Sequence, residues 1–322
     1  MHPPDPAALV PPQRTSALSA AAPPIAEPSI LSAIGNTPLL RLARIGAELS
    51  PRVELWAKAE FLNPTGSVKD RAAWGIVASA IRQRALGPGR TLVDASSGNT
   101  GVAYAMLGAR FGFDVELFLP ANVSADRASR IRSYGAGITF TPAIDGTDGA
   151  QRAAKERARS DPERYFYPDQ YNNPENPRAH YRTTGPEILE QTGSRITHLV
   201  AGVGTGGTLS GTARYLKGSV PGVRIVGVQP DGPIHGIEGL KHIETALRPS
   251  TYDETLVDET AFVQTERAQA MTRRLSREEG LLVGTSSGAA VEAALGVGRP
   301  LKEAVLVVIL PDRGERTADA TD

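Results

Sequence analysis

The feature that most constrains the fold is an alternation. Runs rich in Val and Leu are followed, repeatedly, by stretches with helical spacing. "VELWAKAE" (53–60), "TLVDA" (91–95), "VELFL" (115–119) and "GITFT" (137–141) read as strands. Residues 69–81, 101–111, 124–134 and 147–160 read as helices, the last with Thr147 placed as its cap. The pattern resumes with a helix over 178–192, "THLVAGV" (197–203), a helix over 208–217 and "VRIVGVQP" (223–230). Helices near 266–279 and 286–295 and the apolar run "AVLVVILP" (304–311) complete it. Strands this apolar are covered on both faces, as in parallel sheets wrapped by helices. The expectation is an α/β protein of two lobes with a cleft between them, a common place for a small-molecule site.

"DPERYFYPDQYNNPENP" (161–177) holds four prolines and three asparagines, which marks it as the junction between lobes. The expected division is a Pro- and Ala-rich disordered tail over 1–28, an N-terminal domain over 29–172 and a C-terminal domain over 173–322. The tail shows no basic stretch ahead of an apolar core, so a cytoplasmic protein is expected. With 35 basic and 35 acidic residues, nothing in the charge points to nucleic acid or a membrane surface. No apolar run reaches the roughly 18 residues of a membrane span. The absence of cysteine excludes disulfides, thiolate metal sites and a cysteine nucleophile. The five histidines, at 2, 180, 198, 235 and 242, have no metal-binding spacing, and surface or core polar roles are expected for them.

"NPTGSVKDR" (63–71) delivers a lysine, Lys69, to a helix start, with Ser67 placed like a cap. Read alone, Lys69 is a solvated charge, and Asp70 and Arg71 are a solvated pair. Three small-residue turns change that context: "SSGNTG" (96–101) after a strand, "GVGTGGTLSG" (202–211) after a strand, and "GTSSGAA" (284–290) before a helix. Glycines between a strand and a helix let backbone N–H groups converge on an anion. Tight connections without a ligand use glycine too, and one such turn fits either reading. "GTGGT" (204–208) is the strongest phosphate cradle, since Thr205 and Thr208 add hydroxyls to Gly204, Gly206 and Gly207. A dinucleotide fold would place an acid about 20 residues on, yet Gly222 and Arg224 stand there. A lysine and a monophosphate cradle together suggest pyridoxal phosphate.

Six stretches, "IGNTPLL" (34–40), "NPTGSVKDR", "SSGNTG", "GTGGT", "GTSSGAA" and "PDRGER" (311–316), occur in one order. Together they resemble the cysteine synthase and cystathionine β-synthase family of fold-type II pyridoxal-phosphate enzymes, over residues 29–317. The resemblance implies a tryptophan synthase β-like architecture, two three-layer α/β/α lobes with the cofactor in the cleft. It implies Lys69 as the Schiff-base lysine, Asn99 on the cofactor's ring oxygen and Gly204, Thr205, Gly206, Gly207 and Thr208 as the phosphate loop. Ser286 would face the pyridine nitrogen, and Ser96, Ser97, Thr100 and Gln170 would bind the substrate carboxylate. A neutral hydroxyl at the ring nitrogen leaves that nitrogen unprotonated, which favours loss of a β-substituent over transamination. The implied reaction is replacement of the β-substituent of an O-activated L-serine by sulfide or another sulfur donor, through an α-aminoacrylate, to give L-cysteine. Lys69 would move the α-proton, and a homodimer is the implied assembly.

Ser96 stands where the family has threonine, with the hydroxyl retained. Lys241, in "HGIEGLKHI" (235–243), stands where the O-phosphoserine-using branch has arginine. It would pair with a substrate phosphate or be solvated, so O-acetylserine and O-phosphoserine both stay open. Cystathionine β-synthase-type, dehydratase and threonine synthase chemistry are the alternatives, but the last two go with a Ser-Phe-Lys motif where this chain has Val68 before Lys69. A non-catalytic regulatory relative is a further alternative, and intact Lys69, Asn99 and Ser286 argue against it.

Overall fold

The alternation builds two sheets in a computed structural model that describes residues 29–96 and 98–314. The expected tail, 1–28, and Ser97 lie outside the described residues. In chain order the strands and helices begin β1 (Leu39–Arg41), β2 (Arg52–Ala59), α1 (Lys69–Arg82), β3 (Thr91–Asp94) and α2 (Asn99–Phe111). They continue β4 (Asp114–Pro120), α3 (Ala125–Ser133), β5 (Gly137–Thr141), α4 (Gly146–Ser160), β6 (Tyr165–Phe166), α5 (Glu175–Arg182) and α6 (Thr184–Gln191). The rest are β7 (His198–Gly202), α7 (Gly207–Ser219), β8 (Arg224–Pro230), β9 (Glu259–Val263), α8 (Thr265–Glu279), α9 (Thr285–Gly298) and β10 (Glu303–Leu310). No helix among the described residues is long and apolar enough to cross a membrane.

The larger sheet runs β1-β2-β10-β7-β8-β9 and the smaller β5-β4-β3-β6. Only β1 is antiparallel to its neighbour. Alternate side chains of one strand feed opposite layers, as the pleat requires. In β10, Leu306, Val308 and Leu310 pack with Met271 and Leu275 of α8 and Ala290 and Ala294 of α9. Val307 and Ile309 face the other way, onto Ile188 of α6 and Leu209 and Leu216 of α7. The smaller sheet repeats the scheme: Leu92, Val115 and Leu117 pack on α2, while Val93 and Phe118 pack on Ala150 and Ala154 of α4. Each lobe is therefore three layers, as expected.

The structure departs from the expected pattern in several places. β2 belongs to the larger sheet, pairing with β10 from Arg52↔Glu303 to Ala59↔Leu310. A linear division at residue 172 thus does not follow the sheets, because strands 39–59 close onto the C-terminal half. The helix expected over 178–192 is broken at Thr183, whose backbone leaves the helical region at φ −129°. Pro186 is the reason: in an unbroken helix its ring would meet the carbonyl of Arg182. Thr147 lies inside α4, which starts one residue earlier, with Asp145 at the cap position. β1, β6 and β9 are strands that the spacing did not predict.

Asp70 and Arg71 are buried, not solvated. Asp70 closes the turn before α1 by accepting from the Thr65 N–H at 2.7 Å and from the Thr65 hydroxyl. Arg71 makes two forked contacts. Nε and Nη2 donate to Glu60 at 2.7 and 2.8 Å, and Nη1 and Nη2 donate to Glu187 at 2.7 Å each. Lys58 adds contacts to Glu187 at 2.7 Å and to the Thr37 carbonyl at 2.6 Å. Thr37 and Asn63 then bond Glu60, so the "GNTP" turn is part of the same network. Burial opposes ionisation of Glu187, but Arg71 and then Lys58 hold its carboxyl at about 2.

Arg71→Met leaves the buried Glu60 and the partly buried Glu187 with Lys58 as the remaining cation of the network. Such a broken network costs about 3–5 kcal/mol. A carboxyl held at about 2 stabilises the fold above its ordinary value of 4.5, and that contribution fades as pH falls toward 2. Urea unfolding of both proteins should therefore show a gap that narrows between those pH values. A gap below about 1 kcal/mol, the level of an exposed pair, would contradict this role for Arg71.

Candidate active site

In both sheets the strand order reverses beside a strand that carries a Gly-rich loop. β3 has β4 on one side and β6 on the other, and β7 has β8 and β10. Ligands of parallel α/β sheets bind at such reversals, outside the carboxyl ends of the strands. "SSGNTG" follows β3, "GTGGT" follows β7, and Pro311 and Asp312 follow β10.

One cavity lies there. Lys69, Gly204, Thr205, Gly206, Thr208, Gly239, Leu240, Ser286 and Asp312 are among its lining residues. Lys69 is the first residue of α1, and its N–H donates to the Ser67 hydroxyl at 3.2 Å. Burial pulls the Lys69 ammonium below its ordinary value, and the Asp312 carboxylate works against that. The positive end of α1 also disfavours a cation there. A neutral amine is thus within reach at the cavity wall.

"GTGGT" lines the same cavity and offers donors where Lys69 offers a nucleophile. Gly206 has φ +81°, and a side chain there would meet Tyr252 at 2.4 Å. Its conformation turns the loop into α7, which starts at Gly207. No acceptor among the described residues reaches the N–H groups of Thr205, Gly206 or Thr208. Open N–H groups at a helix N-terminus are an anion site. With an amine and an open N–H cradle in one cavity, these residues fit a phosphorylated aldehyde such as pyridoxal phosphate.

Asn99 and Ser286 come from different lobes and meet at Asp312. Nδ2 of Asn99 donates to it at 2.9 Å and the Ser286 hydroxyl at 3.4 Å. The other expected residues form a second cluster. Thr100 donates to Oε1 of Gln170 at 2.8 Å, and Ser96 accepts from the Gly101 N–H at 3.1 Å. Asn176 joins the clusters, donating to the Gln170 carbonyl at 2.8 Å and the Thr205 hydroxyl at 3.2 Å. Lys241 stays outside the cavity lining. Its N–H donates to the Val203 carbonyl, and its Nζ lies 5.2 Å from the centre of the Tyr171 ring.

Sequence reasoning missed three residues. Asp312 stands in the quoted "PDRGER", so a signal was present. Asn176 was hidden in a loop. His180 was expected to have a surface or core polar role; it is buried, and its Nε2 lies 3.2 Å from the Thr208 hydroxyl of the cradle. Burial holds the imidazole at about 3, hence neutral.

Comparison with known proteins agrees with this geometry. The family described as "Pyridoxal-phosphate dependent enzyme" matches residues 30–312. A cysteine synthase of Aquifex aeolicus is 48% identical over 296 residues, covering 90% of each chain. The structure of a cysteine synthase from Entamoeba histolytica superposes with a TM-score of 0.87 at 33% identity, covering 95% of this chain and 93% of that one. An O-acetylserine-dependent cystathionine β-synthase from Helicobacter pylori gives 0.83 at 34% identity, covering 89% and 96%. The chain belongs to the pyridoxal-phosphate-dependent enzymes of fold-type II, in the cysteine synthase and cystathionine β-synthase family.

Proposed function

We propose that this protein is a cysteine synthase that takes O-acetylserine and a sulfur nucleophile. The observation that carries the reading is the shared cavity, with the Lys69 amine and the open N–H cradle of Thr205, Gly206 and Thr208 in one lining. The cradle would hold the phosphate of pyridoxal phosphate, with Thr205 and Thr208 hydroxyls beside it. Asn99 would donate to the ring oxygen and Ser286 would face the ring nitrogen. The bound cofactor supplies the electron sink for loss of the α-proton.

The chain's own residues do the rest. Lys69, whose burial at a helix N-terminus favours the neutral amine, takes the proton from the substrate Cα and returns it to the product. Ser96, Ser97, Thr100 and Gln170 hold the substrate carboxylate. The bond from Thr100 to Gln170 ties the "SSGNTG" loop to the segment that Asn176 anchors on the cradle, so carboxylate and phosphate sites keep a fixed spacing. The resemblance implies a homodimer.

Lys241 favours the acetyl ester over the phosphate ester. Its charge rests on the Tyr171 ring, and a lysine is a point charge where a phosphate site prefers a forked guanidinium. With sulfide as the second substrate, kcat/KM should be higher for O-acetylserine, and Lys241→Ala should move both substrates by less than about fivefold, as for a cation–π contact worth about 0.5–1 kcal/mol. An O-phosphoserine preference that falls roughly ten- to a hundredfold in the variant would reverse the substrate assignment. Lys69→Ala should lose at least about a hundredfold in turnover while still taking up cofactor through the cradle. Full turnover in that variant would overturn the role of Lys69.

A further inference from the structure

Asp312 and Lys69 are the charged residues among those lining the cavity. Asp312 is also where the two lobes meet chemically. Its Oδ2 accepts from Asn99 of α2 at 2.9 Å and its Oδ1 from Ser286 of α9 at 3.4 Å. Lys69 of α1 is close enough for the two charges to act on each other.

The carboxylate cannot drift. Val68 donates its N–H to the Pro311 carbonyl at 2.8 Å, and Arg313 donates to the Gly66 carbonyl at 3.1 Å. On the opposite side the Gly284 N–H donates to the Asp312 carbonyl at 3.1 Å. Any side chain at 284 would put its Cβ 2.4 Å from Oδ1, so only glycine leaves the carboxylate its place. The segment is clamped between the turn that precedes Lys69 and the turn that precedes Ser286.

A fixed carboxylate imposes a direction on each partner. An amide beside an anion turns its Nδ2 toward it and its Oδ1 away. Asn99 then has one N–H on Asp312 and one left for another acceptor. The Ser286 contact is longer, so the hydroxyl is tethered yet able to turn. We propose that Asp312 is a positioning residue for the cofactor. It sets the flip of the Asn99 amide so that the remaining N–H meets the ring oxygen, and it keeps the Ser286 hydroxyl at the ring-nitrogen end. This rests on the reading of the cavity as a pyridoxal phosphate site.

The test measures cofactor affinity by equilibrium dialysis and the absorption band of the bound cofactor. The proteins are wild type, Asp312→Asn, Asn99→Ala and the double variant. Asp312→Asn keeps the shape and removes the charge, so affinity should fall about tenfold, the difference between a charge-assisted and a neutral bond, and the band should move. In the Asn99→Ala background the same change should cost less than about twofold and leave the band where Asn99→Ala put it. Equal losses in both backgrounds would mark a merely structural role and overturn the proposal. Unchanged affinity and band in Asp312→Asn would overturn it too. If Asp312→Asn does not fold, Gly284→Ala displaces the carboxylate from the other side and should give a band shift that vanishes with Asn99→Ala; a shift that persists overturns the proposal. A wild-type chain that takes up no cofactor overturns the reading of the cavity and the proposal together, whereas uptake with additive losses overturns the proposal alone.

Discussion

The Arg71 guanidinium is the contact on which the site depends. It stands two residues after Lys69, and both of its edges hold carboxylates, Glu60 on one side and Glu187 on the other. Glu60 follows β2 in the larger sheet and Glu187 lies on α6, so α1 is fixed against both at its first turn. A lysine alone would not do this, because two planar forks need a planar donor. Burying four charged groups carries a desolvation cost, and the network limits it by balancing Lys58 and Arg71 against Glu60 and Glu187 and by filling remaining lone pairs from Thr37, Asn36 and Asn63. What is gained is a fixed direction for the helix that carries Lys69.

From that anchor the electrostatics of the cavity follow. α1, α2, α7 and α9 begin at Lys69, Asn99, Gly207 and Thr285, each in or next to a residue of the site. Helix N-termini carry partial positive charge, which suits an anionic cofactor and weakens a lysine ammonium. Asp312 is the counterweight. Burial raises its carboxyl, while Lys69 and then the Asn99 amide oppose that rise. Lys69 is drawn toward the neutral form by its own burial, the state a nucleophilic amine needs.

Much of this was legible in the sequence. The long apolar strands, the helix at Lys69 and the three Gly-rich turns announce themselves through periodicity and local chemistry; two of the turns line the cavity, and the third reaches it through the bond from Asn99 to Asp312. What was not legible depends on long-range pairing. β6 is two residues long and exists because Tyr165 and Phe166 pair with Thr91 and Leu92. β9 is an edge strand whose side chains are mostly exposed, so it lacks an apolar pattern. β2 reads as a strand, but its partner β10 lies some 250 residues on, and no local rule assigns it a sheet. Asp70 and Arg71 look like surface charges until Thr65, Glu60 and Glu187 are brought to them. Asn176 and His180 reach the cradle through the Thr205 and Thr208 hydroxyls, which spacing alone does not reveal.

Lys69, held at the mouth of α1 beside an anion cradle, is the residue we propose to bear the cofactor. The chain has six lysines, at 58, 69, 155, 217, 241 and 302, so the claim can be read directly. The protein is loaded with pyridoxal phosphate, reduced with borohydride, digested and mapped by mass spectrometry. The phosphopyridoxyl mass is expected on the peptide containing Lys69 and on no other lysine peptide. A label on Lys241 or Lys58 in its place, or no stable label on a chain that has taken up cofactor, would contradict that assignment.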